Sequence, residues 1–177
     1  RIGGYSYFDN TTHHNTIDEA ISQGTTLDWV YGGYTDGLKG GSDYNKVTLY
    51  SYYSSYVKKV YGGYTIGLTA SDADKAVNPA AKADAKYNTV TIRGAVHTDE
   101  VYGGGIFKNY RTNTASDGDA SHNTVNLLNT DGKKVYGGYT EGSGNATHNT
   151  VTLGSLDSSE PYGGGSDAVL YGGGGTG

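Results

Sequence analysis

The stretch VYGGYTEGSGNATHNTVTL, residues 135–153, contains both elements from which most of the chain is built. Its second part, HNTVTL (His148–Leu153), alternates polar and apolar side chains and carries β-branched residues at most positions. That pattern reads as a strand with one buried face. Versions of it stand at His14 (HNTI), Tyr44 (YNKVTL), Tyr87 (YNTVTI) and His122 (HNTVNL). Val47, Val90, Val125 and Val151 then share a face with Leu49, Ile92, Leu127 and Leu153. Thr48, Thr91, Asn126 and Thr152 take the other face. The first part, VYGGYT, also begins at Val30 and Val60, with variants at Ile2 (IGGYS), Val101 (VYGGGI) and Pro161 (PYGGG), and an echo at Leu170 (LYGGG).

The two elements alternate strictly, and their spacing is uneven in one half only. From the branched residue of the Asn-Thr element to the next Tyr-Gly element the distances are 13, 13, 11, 10 and 10 residues. The other half-period runs 15, 17, 30, 24 and 16. One connection is almost constant while the other accepts insertions, as in stacked-repeat proteins whose excursions leave from one corner. The expected fold is all-β: a parallel β-solenoid of about five to six rungs, one repeat per rung, within a single repeat domain spanning residues 1–177. Repeats start near residues 2, 30, 60, 101, 135 and 161. The Ala-rich insertion from Ser71 to Lys86, interrupted by Pro79, is expected to be an excursion with some helix.

In such a stack each residue type lies over its counterpart one strand away, at about 4.8 Å. Asn15, Asn45, Asn88, Asn123 and Asn149 are expected to form an amide ladder. Tyr31, Tyr61, Tyr102, Tyr136 and Tyr162 are expected to form an aromatic one. The paired glycines let the backbone turn tightly and leave room for the neighbours of the stacked ring. Which face the tyrosines take stays open, because a Gly-Gly bend can flip the alternation.

Composition narrows the classes. Leu, Ile, Val and Phe account for only 29 of 177 residues and glycine for 30, which leans toward disorder, but 18 tyrosines supply apolar area and the net charge is only −5. There is no cysteine, hence no disulfide framework or thiolate metal site. There is no methionine either, which is expected of a processed chain or an excerpt of a longer one. The acidic balance and scattered basic residues argue against nucleic acid as a partner, and no apolar run reaches membrane-spanning length.

The stretch VYGGYTEGSGNATHNTVTLGS (Val135 to Ser155) resembles the YGGY…NTVTI repeats of large autotransporter-type surface proteins of Gram-negative anaerobes, in five imperfect copies. The resemblance implies a parallel β-helix passenger, extracellular or at the bacterial cell surface, often adhesive toward a glycan or host surface. It implies no catalytic residues. The first copy departs most, since NTIDEAIS (Asn15 to Ser22) lacks the second threonine. The expected role is a non-enzymatic structural or adhesive one, with the ends paired to further repeats or to other copies, head to tail.

Other residues offer further chemistry. His14, His122 and His148 stand where Tyr44 and Tyr87 stand in other copies, so the position wants a flat ring and not a metal ligand. Asp72, Asp74, Asp84, Asp117 and Asp119 lie in insertions and read as solvated charge, although paired carboxylates on a β-helix would suit a carbohydrate-active enzyme. That enzyme is the alternative class. A calcium-binding nonapeptide is the other: Asp167, in the segment with nine-residue spacing, offers one carboxylate, and Thr176 stands where a second is wanted. Asn10 and Asn145 match the glycosylation acceptor triplet, which is common by chance.

Overall fold

The computed structural model describes residues 1–8, 12–37, 40–66, 83–109, 113–154 and 168–175. Eleven strands are present: β1 (Ile2–Phe8), β2 (Thr12–His13), β3 (Thr16–Ala20), β4 (Thr26–Gly37), β5 (Ser42–Asp43), β6 (Lys46–Ile66), β7 (Thr89–Phe107), β8 (Thr124–Leu128), β9 (Asp131–Thr140), β10 (Thr150–Gly154) and β11 (Ala168–Gly175). There is no helix among the described residues. Every pairing between named strands is parallel.

Like residues pair with like. Val30 lies beside Val60, Val60 beside Val101, Val101 beside Val135, and Val135 beside Leu170. Val47, Val90, Val125 and Val151 form the matching series in the Asn-Thr element. β6 and β7 are long because each runs through both elements without a break in strand character. The two valine series face each other, and with Leu49, Ile92 and Leu127 they make one core from which water is excluded. Each of these buried aliphatic side chains contributes roughly 1.5–3 kcal/mol. Thr48, Thr91 and Asn126 point the other way and stay half-buried. Leu153, on the outermost Asn-Thr strand, is 37% exposed and Val151 only partly covered.

The glycine pairs answer to space, not to backbone angle. Gly24 and Gly94 are the described glycines with positive φ, and neither belongs to a pair. A Cβ on Gly62 would stand 3.0 Å from Asn88 Cβ and 3.1 Å from Val90 Cγ2. One on Gly33 would stand 2.5 Å from Asn45 Nδ2. Both glycines of a pair therefore turn inward onto the asparagine and valine of the following Asn-Thr strand, and the room they leave is for those residues and not for the rings. The inward pair puts the tyrosines before and after it on the opposite side of the strand from the valine core, where Tyr61 and Tyr102 are nonetheless buried.

Two sequence expectations shift. The place beside Val135 and Tyr136 belongs to Leu170 and Tyr171, nine residues after the expected Pro161 and Tyr162. Proline has no N–H to give a parallel ladder, and Leu170 does. Pro161 and Tyr162 themselves lie outside the described residues. Of the Ser71–Lys86 insertion, residues 71–82 lie outside the description, and 83–86 are non-helical. Ala83 and Ala85 are fully buried there, Ala85 against Ile106 and Ala120, so this end of the insertion is core. Finally, Glu19 of β3 pairs with Leu49 and so takes the core-facing slot, where it binds the Arg1 guanidinium (Nε to Oε1, 3.0 Å). An ion pair borders the core at that edge.

Candidate functional site

The asparagine column uses its hydrogen-bonding capacity on itself. Asn15 Nδ2 donates to Asn45 Oδ1 at 2.9 Å, Asn45 to Asn88 at 3.0 Å, Asn88 to Asn123 at 3.0 Å and Asn123 to Asn149 at 3.1 Å. Each accepting oxygen also takes the backbone N–H of the preceding asparagine. The second amide proton of Asn45, Asn88, Asn123 and Asn149 goes to the carbonyl of Thr12, Ser42, Ala85 and Ala120 respectively. Asn45, Asn88 and Asn123 are buried, and such a network is tolerable there because its members are satisfied.

The residue before each asparagine makes the corner. His14, Tyr44, Tyr87, His122 and His148 all have φ of 56–57°, in the left-handed region. For an L-residue this costs about 1–2 kcal/mol, and glycine would relieve it. Rings occupy the position because they stack. Centroids are 5.1, 4.8, 4.9 and 4.9 Å apart along the row, with interplanar angles of 4°, 8°, 20° and 2°. Each such contact contributes about 0.5–1.5 kcal/mol, which offsets the strain of the corner. The row is exposed, but a ring between two parallel neighbours has both faces taken, so sugar rings cannot stack on Tyr44, Tyr87 or His122.

Two further columns lie side by side on the Tyr-Gly strands. Tyr31, Tyr61, Tyr102, Tyr136 and Tyr171 stack at 4.7–5.0 Å. Tyr5, Tyr34, Tyr64, Phe107 and Tyr139 stack at 4.6–5.5 Å. Rings of one column meet the other edge-on, for example Tyr61 on Tyr64 at 4.9 Å and 81°. Burial, with Tyr34 adding, pushes the Tyr31 phenol up to about 12. The phenols of Tyr61, Tyr64 and Tyr102 are likewise raised, burial first. The second column follows from the second tyrosine of YGGY but is interrupted in sequence at Gly105. Phe107, two residues on and on the same side, lays its ring over Gly105, where a Cβ would stand 2.5 Å from Phe107 Cζ.

Charged groups gather at one place. Asp84 and Asp119 occupy equivalent positions in adjacent copies, and their Oδ1 atoms accept the backbone N–H of Asp119 and Asn145, both at 2.8 Å. Lys86 reaches Asp84 at 3.3 Å and Asp119 at 3.9 Å. Burial draws the Lys86 ammonium down, but Asp84, Asp119 and Asp43 together hold it above its ordinary value. Burial raises the Asp43 carboxyl, whose Oδ1 accepts the Lys86 N–H at 2.8 Å. These acids are structural participants and not free loop charge, which separation in the sequence did not reveal. Asp117 accepts from Ser143 Oγ at 2.7 Å. Asp72, Asp74, Asp167 and Thr176 lie outside the described residues. No group of three or more His, Asp or Glu that could hold a metal occurs among the described residues.

Exposed aromatic side chains also lie outside the columns. Tyr52 and Tyr53 are 56% and 51% exposed at the irregularity of β6 between Ser51 and Ser55. Trp29 is exposed beside Tyr31. No family model, curated protein or solved structure matches the chain.

Proposed function

We propose that the chain is a parallel β-solenoid of about five to six rungs, one repeat per rung, and that it serves as a non-enzymatic structural or adhesive protein at a bacterial surface, in the manner of an autotransporter passenger. The observation that carries this reading is the asparagine column. Side chains that could line a pocket are committed to one another along the stacking axis, which suits a rod and not a catalytic cleft. If the rod is adhesive, the exposed rings of Tyr52 and Trp29 are its candidates for stacking on a glycan, because rings inside the columns have both faces taken. Neighbouring repeats are a better fit at the Glu19 edge than a flush identical copy, whose Leu153 would meet that carboxylate.

A carbohydrate-active enzyme is the second reading, favoured by the pairing of Asp84 and Asp119 in adjacent copies. Incubation with pectin-type polysaccharides and a glycan panel separates the two. The expected result is no cleavage, with any glycan retention lost in Tyr52→Ala/Trp29→Ala and kept in His122→Ala. Cleavage that disappears in Asp119→Asn would overturn the structural reading.

A further inference from the structure

Columns in which like stacks on like cannot tell one repeat from the next. With the β7 repeat looped out and β9 laid on β6, Val60 would still meet a valine, Val135, and Tyr61 a tyrosine, Tyr136. The two residues just before each Tyr-Gly element behave differently. They read Asp28-Trp29, Lys58-Lys59, Asp99-Glu100 and Lys133-Lys134 in successive copies. Both stand outside the core each time, and the next residue is a fully buried valine. The register sets Trp29 beside Lys59, Lys59 beside Glu100 and Glu100 beside Lys134. Lys58 Nζ lies 3.1 Å from Asp28 Oδ1, Lys133 Nζ 3.1 Å from Asp99 Oδ1 and Lys59 Nζ 3.5 Å from Glu100 Oε2. Asp99 also accepts from Tyr56 Oη, and that bond together with Lys133 holds its carboxyl below the ordinary value. Charge sign therefore alternates from copy to copy, with Trp29 the uncharged member.

We propose that this residue pair is an order code, alternating in charge so that each repeat stacks on its own neighbour and not on the next but one. Skipping one repeat sets Lys58 and Lys59 against Lys133 and Lys134, or Asp28 against Asp99. Like charges directly opposite on adjacent strands are unfavourable, and specificity is reached by building such repulsion into the wrong arrangement. Exposed ion pairs add little to stability by themselves. Their weight here lies in the choice among arrangements that the valine, tyrosine and asparagine columns satisfy equally well. Connectivity does not make that choice, because the cost of closing a loop grows only slowly with its length. The inference rests on the parallel stacking of repeats, and its test reads the two apart.

The test refolds the full chain carrying Thr48→Cys/Asn126→Cys from denaturant under mild oxidation, with β-sheet followed by circular dichroism. These positions lie two strands apart in the native order and become neighbours only when the β7 repeat is skipped. Refolding is compared in about 0.01 M and about 1 M salt, between which the screening length falls from about 30 Å to about 3 Å. With the native charges the cross-link should be rare in low salt and rise several-fold in high salt, as screening removes the repulsion against the skip. Adding Lys133→Asp/Lys134→Glu turns β9 against β7 and toward β6. Cross-linking in low salt should then rise roughly tenfold over the parent, and fall as salt is added. Lost packing of the lysine stems would not reverse the salt response. A response in the same direction in both chains, or none, overturns the code alone. If the β9 variant does not fold, the parent decides: a yield that fails to rise with salt overturns the code. A parent without β-sheet, or one whose cysteines close fully in low salt, overturns the stacking itself.

Discussion

Asn88 shows why asparagine recurs at the corner before each strand. It accepts two hydrogen bonds on Oδ1, from the N–H and Nδ2 of Asn45, and donates two from Nδ2, to Ser42 O and Asn123 Oδ1. Aspartate has no donor to give, and serine is too short for both roles. Asn88→Ala leaves the N–H and amide of Asn45 without an acceptor in a buried place, and should cost about 2–4 kcal/mol in denaturant unfolding. Asn126→Ala, on a half-buried face, should cost less than about 0.5 kcal/mol. Equal costs would deny the column its role. The ladder was legible because the asparagine keeps one place ahead of a β-branched strand in each of five copies. The left-handed corner was not, since tyrosine is a poor choice for positive φ on its own and only the stack makes it acceptable.

At the scale of the element, the Tyr-Gly strand brings together a buried valine, two outward rings and an inward glycine pair. The raised phenols have a consequence for alkaline stability. The folded state holds the proton of Tyr31 up to about 12, while the unfolded chain releases it near the ordinary value of 10.0. Between those limits the folded state binds more protons than the unfolded, so stability falls as pH rises. The contribution is complete below pH 10 and lost on passing through about 12. Tyr61, Tyr64 and Tyr102 act in the same direction. Unfolding midpoints measured from pH 8 upward, with tyrosinate followed by ultraviolet absorbance, should drop together with phenol ionisation. Ionisation well before unfolding would contradict the packed columns. Only one of the two columns was read from the sequence: Gly105 breaks the second tyrosine series, and Phe107 restores it from a position the repeat does not mark.

Over the whole molecule, the decisive property is the in-register parallel stacking of repeats separated by unequal insertions. It was legible because one connection is nearly constant, while the insertions all fall in the other half-period. The last connection escaped that logic, since PYGGG and LYGGG both fit the motif and only strand pairing assigns Leu170. The chain has no cysteine, which makes register directly testable with engineered pairs. Thr91 and Asn126 face each other across β7 and β8, with Asn126 Nδ2 3.4 Å from Thr91 Oγ1. Thr48 lies beside Thr91 on the other side. Adjacent parallel strands put paired Cα atoms within disulfide range, whereas two strands apart is about 9.6 Å. Mild oxidation should therefore cross-link Thr91→Cys/Asn126→Cys and Thr48→Cys/Thr91→Cys, and leave Thr48→Cys/Asn126→Cys open. Cross-linking of the last pair as readily as the first two would contradict the stacked register.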